Sequence, residues 1–566
     1  MAVVLKTRKR EIGAATYSRG REGSHLRPRY AAKTPPCNNA CPMGNDIRGF
    51  LTGIAQGEDL FKLSMEEATE KAWRVLTNTN PLPAVLGRVC PHPCETDCNR
   101  QFKDEAISIN QIERFIGDYG INNKLAHEKI SDQGKPEKVA VIGAGPAGIS
   151  AAFQLAKRGY PVTIFEAFPK SGGMLRYGIP SYRLPEEILD AEVAAVEALG
   201  VEIKYNTRVG VDVSIDDLKK DFDAIFLGIG AHEGWTLGIP GEEGEGVMSA
   251  VEFLNKVNGG EDVDVKGKKV LIIGGGNSAV DAARVSLRKG AEPSIVYRRT
   301  KDEMPAEEEE IEDTEAEGIP IEILAAPVEI IRDGSGKVTG MKAIKMELGE
   351  PDESGRRRPV PVEGSEFTIE ADMVLPAIGQ GPQFGGIEAF KDDKGWITVD
   401  EATGQTSEEG VYAGGDVTNH LGTVTEAVGL GHKAADAIDY YIRGEEMPKE
   451  YPPPVIKYDK MAPNYYETAV RVQKIVMDPG QRKSNFDEVV TTLGNEAALE
   501  ETKRCLSCGM CFDCGNCYSF CSYNAIKKLG KDDRSHEHEF YKFHLDTCVG
   551  CAKCAEECPC GYIDMA

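Results

Sequence analysis

The feature that most constrains this chain of 566 residues is the stretch KVAVIGAGPAGISAAFQLAKRGYPVTIFE, residues 138–166. An apolar run of strand length precedes Gly143-x-Gly145-x-x-Gly148, and an apolar helical pattern, a second strand and Glu166 follow. The glycines permit a tight turn, the approach of a pyrophosphate and close helix–strand packing, while the helix N-terminus offers free N–H groups to phosphates. Glu166 stands where an acid accepts hydrogen bonds from ribose. The stretch predicts a dinucleotide-binding βαβ unit, the alternative being a ligand-free α/β turn.

A second stretch of the same kind, KKVLIIGGGNSAVDAARVSLRKGA, begins at Lys268. Its second strand is followed by two arginines, whereas an acid at that point would favour NAD and an arginine suits the 2′-phosphate of NADP. We predict NADPH, with NADH and a merely solvated arginine pair as the alternatives. The residues predicted to bind NAD(P) are Gly274, Gly275, Gly276, Asn277, Ser278, Arg298 and Arg299.

The sixteen cysteines are confined to the two ends of the chain, and residues 99–504 contain none. A redox-active disulfide beside a flavin is therefore excluded, and electrons would have to leave through the cysteine-rich ends. The net charge of −25 argues against nucleic acid as a partner. No apolar run has the length of a membrane span, and no secretory signal is recognisable at the start, so we expect a cytoplasmic protein in which disulfides are rare.

The C-terminal cysteines repeat the pattern Cys-x2-Cys-x2-Cys-x3-Cys, which is the signature of a two-cluster bacterial ferredoxin. Each run donates its fourth cysteine to the other cluster, and a zinc ribbon is the alternative. The predicted ligands are Cys511, Cys514, Cys517 and Cys558 for one [4Fe–4S] cluster, and Cys548, Cys551, Cys554 and Cys521 for the other. Cys505, Cys508 and Cys560 remain, either as buried thiols or, for the first two, as ligands at a partner interface.

Near the N-terminus, Cys37-x3-Cys41-Pro and Cys90-x3-Cys94-x3-Cys98 have spacings that suit an iron–sulfur cluster, without excluding zinc. The segments PPCNNACPMGNDI, GRVCPHPCETDCNR and INQIERFI resemble the N-terminal domain of the glutamate synthase small-subunit family, which includes a domain of dihydropyrimidine dehydrogenase.

In that family two [4Fe–4S] clusters are typical of this domain, and one of them uses a further upstream cysteine pair. Here Arg29 and Ala32 stand at the upstream positions, so the resemblance implies that this cluster is lost. The ligands that it implies for the surviving cluster are Cys41, Cys90, Cys94 and Glu113. Cys37 and Cys98 would be remnants of the lost cluster, unless one of them replaces Glu113.

The resemblance extends through the middle of the chain, where SGGMLRYGIP, YRRTKDEMPA and VYAGGD match family segments. It implies an FAD domain into which the NAD(P) domain is inserted. The acidic run at 302–317 is predicted to form a solvated helix face. The residues predicted to bind FAD are Gly143, Gly145, Pro146, Ala147, Gly148, Glu166, Gly173, Met174, Leu175, Arg176, Gly230, Gly415, Asp416 and Thr423.

The predicted fold class is therefore α/β, with two Rossmann-type domains between a helical Fe–S domain and a ferredoxin-like α+β domain. The predicted bounds are 1–132 for the helical domain, 133–255 plus 365–445 for FAD, 256–364 for NAD(P), 446–500 for a linker and 501–566 for the ferredoxin-like domain. Residues 1–30 carry eight Lys or Arg against two acids, which predicts either a solvated arm or a docking arm for an acidic partner.

The predicted function is electron transfer from NADPH or NADH through FAD and three [4Fe–4S] clusters to a protein acceptor. Relatives with this arrangement imply ferredoxin, or a terminal reductase such as dissimilatory sulfite reductase, as that acceptor. Electron flow in the reverse direction stays open, and a homo-oligomer is compatible with the sequence. The rival hypotheses are a glutamate synthase small subunit and a redox-sensing or scaffold flavoprotein.

Overall fold

The computed structural model describes residues 23–131, 133–352, 355–418, 422–449, 451–535 and 538–566. The chain forms two compact units, of which the first comprises residues 1–125, 448–474 and 492–566 and the second comprises 126–447 and 475–491. Most of the predicted basic arm lies outside the described residues. Its end is described, and there the strand Pro28–Tyr30 pairs antiparallel with Ile563–Met565.

The second unit contains two parallel sheets, each built around one glycine-rich turn. Their inner strands are short, apolar and largely buried, as expected for sheets covered by helices on both faces, whereas the edge strands Glu202–Lys204 and Ile321–Ile323 are largely exposed. The first sheet has the order Val411–Ala413, Ala224–Leu227, Val139–Ile142, Val162–Phe165 and Glu202–Lys204. The second has the order Met373–Pro376, Lys269–Ile273, Glu292–Tyr297 and Ile321–Ile323.

Helices cover both parallel sheets, and a separate antiparallel sheet packs against the second. The main helices are Pro146–Lys157, Glu186–Glu197, Ile215–Asp221, Ala250–Asn258, Asn277–Arg288, Glu308–Ala316 and Val424–Arg443. The antiparallel strands are Ala325–Arg332, Val338–Pro351, Arg357–Pro361 and Phe367–Glu370. Pro146–Lys157 packs against Val424–Arg443, where the buried Ser150 hydroxyl donates to the Val428 carbonyl at 2.7 Å.

The predicted boundary between the FAD and NAD(P) domains is wrong at its C-terminal end. Met373–Pro376, which we assigned to the FAD domain, pairs in parallel with Lys269–Ile273 of the second sheet. The Ala377 N–H then donates to the Ile273 carbonyl at 2.8 Å. The inserted domain therefore extends past residue 376, because this buried strand completes its sheet.

The described residues of the first unit form helices and two short two-stranded antiparallel sheets. The helices are Pro36–Ala40, Ile47–Ala55, Met65–Leu76, Pro83–Val89, Pro93–Thr96, Ile109–Asn122, Asn495–Thr502, Asn516–Phe520 and Lys553–Glu556. Ile526–Lys528 pairs antiparallel with Tyr541–Phe543, as in a ferredoxin-like module. A capping box between Ser64 and Glu67 satisfies the N-terminus of Met65–Leu76.

The stretch 446–500 is folded rather than the predicted linker. Ile456, Met461 and Tyr466 form a buried cluster with Leu506 in the first unit. Val489 lies in the core of the second unit. The proline-rich segment GEEMPKEYPPPVIKY indicated a linker of limited flexibility but did not reveal these anchoring apolar side chains.

The acidic run 302–317 has the predicted solvated face, on which Glu308, Glu309, Glu312 and Glu315 are exposed, but other acids of the run pair with buried arginines. Glu317 is fully buried and its carboxylate receives hydrogen bonds from Arg284 (2.8 Å) and Arg288 (2.7 Å). Arg482 joins the same group through Asp313 at 2.8 Å. Pairing with buried arginines therefore accounts for Glu310, Asp313 and Glu317, and most of the other acids of the run face solvent.

No helix in the described part of the chain is both long and apolar enough to cross a membrane.

Candidate flavin, nicotinamide and iron–sulfur sites

The predicted FAD residues gather at the carboxyl edge of the five-stranded sheet. Gly143, Glu166 and Gly230 lie just after the strands that end at Ile142, Phe165 and Leu227. Gly415 and Asp416 follow Val411–Ala413, the outer strand. In open parallel sheets ligands bind in the crevice outside this edge.

The two glycine-rich turns are built in the same way. Gly143 has φ +98°, and a Cβ there would lie 2.5 Å from the Gly228 carbonyl oxygen. Gly274 has φ +152°, and its Cβ would lie 2.3 Å from the Ala377 carbonyl oxygen. Each turn is thus pressed against the end of a neighbouring parallel strand, which only glycine permits.

Each turn leads directly into a helix whose first N–H groups carry no side-chain cap. Gly145 is the N-cap of Pro146–Lys157, with Pro146, Ala147 and Gly148 in the first turn. Gly276 is the N-cap of the second such helix, which begins with Asn277 and Ser278. Uncapped N–H groups at a helix N-terminus fit a pyrophosphate, so both turns suit a dinucleotide. Gly275 lies between the glycines of the second turn, where a Cβ would meet the Tyr297 ring at 2.6 Å.

Glu166 is buried, and its carboxylate accepts backbone hydrogen bonds from the first glycine-rich turn, residues 143–148, and from Phe168. One oxygen accepts the Ala144 N–H at 2.6 Å and the other accepts the Phe168 N–H at 2.7 Å. Burial raises the pKa of this carboxyl, while the hydrogen bonds from Phe168 and Ala144 act in the opposite direction. Each oxygen keeps a lone pair with which it can accept a ribose hydroxyl.

The segment 171–180 docks on the same turn, since the Gly172 N–H donates to the Ala144 carbonyl at 2.8 Å. Gly173 precedes the short helix Met174–Tyr177, in which Leu175 is buried. Arg176, predicted to bind FAD, has its guanidinium engaged with the Ser171 carbonyl, Glu186 and Asp190. Its position indicates that it fixes the loop rather than reaching for a ligand.

Asp416 lies half-buried beside the N-terminus of the long helix Val424–Arg443. Burial raises its pKa to about 6, although the Gly422 N–H approaches its Oδ1 at 3.4 Å. Thr423 is the N-cap of this helix and forms a capping box with Glu426. A buried acid with spare acceptor capacity fits the hydroxyls of a ribitol chain.

His232 is a residue of this edge that the sequence analysis missed. Its Nδ1 is buried and has no hydrogen-bond partner among the described residues. Its ring lies 5.3 Å from that of Phe168, and burial lowers its pKa to about 4. The signal that could have found it is its place two residues after Gly230.

The structure separates the two arginines of the predicted NAD(P) site. Arg299 is buried, pairs with Asp352 at 2.5 Å and donates to the Arg357 carbonyl at 2.8 Å. Arg298 is exposed directly after the strand Glu292–Tyr297. Arg298 is therefore the candidate for a 2′-phosphate, and Arg299 anchors the turn.

The four residues predicted for the N-terminal cluster lie together in the first unit. Burial raises the pKa of the Cys94 thiol well above its usual value, and the proximity of Cys90, Glu113 and Cys41 raises it further. The pKa of Glu113 is raised to about 8 by burial, although Asn80 donates to it at 2.8 Å. The raised pKa values favour the protonated forms of these groups, and a bound iron–sulfur cluster would favour the deprotonated forms because iron is cationic.

The ferredoxin-like cysteines also gather as predicted from their spacing. Cys521, Cys548, Cys551 and Cys554 line one cavity. Burial raises the pKa of Cys517, and the neighbouring Cys514, Cys511 and Cys558 add to this effect. Within the described residues no three His, Cys, Asp or Glu side chains are arranged as a single metal ion requires. A cubane binds one thiolate on each of four irons, so its ligands surround a volume instead of meeting at a point.

Three family models match the chain. Residues 137–431 match the pyridine nucleotide-disulphide oxidoreductase family. Residues 29–125 match dihydropyrimidine dehydrogenase domain II with its 4Fe–4S cluster, and residues 510–562 match a 4Fe–4S dicluster domain. These matches confirm the predicted fold class.

Curated relatives align over most of the chain. The beta subunit of an NADP(+)-dependent formate dehydrogenase from Moorella thermoacetica is 41% identical over 84% of this chain and 70% of its own length. The NADPH-Fe(3+) oxidoreductase subunit beta of Geobacter sulfurreducens is 37% identical over 84% of this chain and 75% of its own. The glutamate synthase [NADPH] small chain of Escherichia coli is 35% identical over 71% of this chain and 88% of its own.

Proposed function

Because this chain belongs to the pyridine nucleotide-disulphide oxidoreductase family and is similar to the glutamate synthase small chain, we propose that it oxidises NADPH and delivers single electrons to a separate protein acceptor. FAD, when bound, accepts a hydride from the nicotinamide and releases electrons one at a time. The bound groups would be FAD, NADPH and the [4Fe–4S] clusters at the sites described above.

The observation that carries this proposal is the distribution of the redox-capable residues. Two glycine turns of dinucleotide type lie in a region of the sequence, residues 99–504, that has no cysteine. The disulfide chemistry for which the family is named is therefore not available beside the flavin edge. The cysteine groups suited to iron–sulfur clusters lie instead in the first unit. Electrons therefore leave the flavin through these one-electron carriers.

The protein residues bind and orient the reactants, and no side chain is needed as a general acid or base. Glu166 and Asp416 accept hydroxyl groups of FAD, and the helix that begins after Thr423 directs the positive end of its dipole to this edge. Arg298 gives the preference for NADPH over NADH, since its exposed guanidinium can bind a 2′-phosphate.

The electron acceptor is a protein, either ferredoxin or a partner reductase such as dissimilatory sulfite reductase. This chain works in the cytoplasm. Two of the relatives are named as beta subunits, which supports action together with another polypeptide. The reaction is reversible in principle, since cluster potentials set its direction.

A glutamate synthase small subunit is the second candidate, supported by the 35% identity to that small chain. The dicluster match at 510–562 lies beyond the central domain and argues for the first candidate. A redox sensor would not turn over NADPH continuously, so sustained turnover separates it from both.

The proposal is tested by comparing two acceptors of electrons from NADPH. A quinone dye can accept electrons at the flavin, whereas a bacterial ferredoxin needs the clusters. Cys551→Ser should retain dye reduction within about twofold and lose at least about tenfold in ferredoxin reduction, while Ser519→Ala serves as the control. Equal activity of native protein and Cys551→Ser with ferredoxin would overturn the proposed exit through the C-terminal clusters.

A further inference from the structure

One cavity in the first unit is lined by four cysteines that are not among the ligands assigned to the three predicted clusters. These are Cys37, Cys98, Cys505 and Cys508. The other lining residues are largely apolar, with Arg48, Asn99 and Arg100 as the remaining polar side chains. The two cysteine pairs come from opposite ends of the sequence, so only the fold brings them together.

The four cysteines form no disulfide and line the same cavity. Burial raises the pKa of Cys37 well above its usual value, and the neighbouring Cys98, Cys508 and Cys505 raise it further. Burial likewise raises the pKa of Cys505 to about 11, and Cys98 contributes to this shift. Four thiolates could exist at this density only around a strongly cationic group.

The backbone at Cys505 has the conformation found at the predicted iron–sulfur ligands. Ser507 has φ +49°, and its N–H donates to the Cys505 Sγ at 3.4 Å. A serine in this region of φ is uncommon. The same turn occurs at two predicted ligands, with His92 after Cys90 (φ +46°, 3.2 Å) and Gly550 after Cys548 (φ +71°, 3.4 Å).

Two polar side chains of the cavity are suited to an anionic cluster. The Asn99 Nδ2 donates to the Cys508 Sγ at 3.7 Å. Arg48 donates from Nη1 to the Cys508 carbonyl at 2.8 Å, while its buried Nε has no hydrogen-bond partner among the described residues. A guanidinium whose buried Nε has an unused donor beside cysteine sulfurs is explained if the cavity holds negative charge.

We propose that Cys37, Cys98, Cys505 and Cys508 hold a further [4Fe–4S] cluster, the fourth of this chain. The pair Cys505-x2-Cys508 takes the place of the upstream cysteine pair, at whose positions Arg29 and Ala32 stand. The alternative of a single zinc ion requires convergence of the ligands, which is not seen among the described residues. Cys560 is then the one cysteine of the chain without a cluster.

The proposal is independent of the direction of electron flow and of the acceptor. The proposed fourth cluster would lie between the N-terminal helices and residues 505–508. This C-terminal segment would then form part of the N-terminal cluster site. The chain would then use fifteen of its sixteen cysteines as ligands.

The test is metal and sulfide analysis of the full-length chain, purified without oxygen and normalised to bound FAD. Four clusters give about sixteen Fe and sixteen acid-labile sulfides per chain, and the double variant Cys505→Ala/Cys508→Ala should give about twelve of each. Cys560→Ala is the matched control and should keep about sixteen. EPR of the dithionite-reduced protein should show one cluster signal fewer in the double variant only.

The iron count of the native chain decides the question even where a variant fails to fold. About twelve Fe in the native chain, or about one Zn that the double variant lacks, would overturn the proposal. Loss of the same EPR signal from Cys560→Ala and from the double variant would also overturn the assignment of its ligands.

Discussion

The buried carboxylate of Glu166 binds the backbone of the first glycine-rich turn, residues 143–148, and a substitution of Glu166 tests whether this contact supports FAD binding. Both of its oxygens accept backbone N–H groups, from Ala144 at 2.6 Å and from Phe168 at 2.7 Å. In Glu166→Gln one oxygen becomes an NH₂ group that faces one of these N–H donors. The variant keeps the size of the side chain and removes one charge-assisted hydrogen bond.

A hydrogen bond to a charged group contributes about 1.5–3 kcal/mol, so FAD affinity should fall by about 10-fold to 150-fold. The assay is titration of the deflavinated protein with FAD, followed by quenching of flavin fluorescence. Glu202→Gln is the control because Glu202 is exposed on the neighbouring strand Glu202–Lys204, and it should change the Kd by less than about twofold. A Kd for Glu166→Gln within twofold of the native value would refute this role.

Three further predictions concern the nicotinamide turn, the buried charge cluster and Asp416. Arg298→Glu should raise the KM for NADPH at least about tenfold while the KM for NADH changes little, since only NADPH carries the 2′-phosphate; equal changes in steady-state assays would reject the assignment. Glu317→Gln should lower the free energy of unfolding by about 3–5 kcal/mol in urea because buried Arg288 is ion-paired with Glu317, whereas Arg284 keeps Glu310 and Asp313, and the exposed Glu312→Gln should have almost no effect. Asp416 has a folded-state pKa of about 6, above its usual 3.8, so it favours folding below the usual pKa and this contribution is lost as the pH rises through about 6. Urea unfolding of FAD-free protein should therefore show a stability loss of at most about 3 kcal/mol between about pH 4 and 6, and Asp416→Asn should abolish it.

The two glycine-rich turns could be predicted from sequence because their conformation depends on local residues. Gly143 and Gly274 each follow a short apolar strand and precede a helix, and the structure places both as expected. The spacing of Cys548, Cys551 and Cys554 likewise predicted their shared cavity with Cys521.

The features that sequence did not reveal depend on contacts between distant segments. Met373–Pro376 has the apolar pattern of any buried strand, and nothing local shows which sheet it joins. The pairing of Asp313 with buried Arg482 was not visible in the acidic run 302–317, because the arginine lies far along the chain. Cys37 and Cys505 could not be connected by spacing, since the fold alone brings the ends of the chain together.

In the proposed function, electrons pass from NADPH through the flavin to the iron–sulfur clusters. Anaerobic titration of the full-length chain with NADPH tests it, with flavin absorbance and cluster EPR followed together. We expect the flavin absorbance to bleach first and the EPR signals of the clusters to appear afterwards in the same samples. Complete bleaching with no cluster signal in excess NADPH, although dithionite reduces the same clusters, would contradict it.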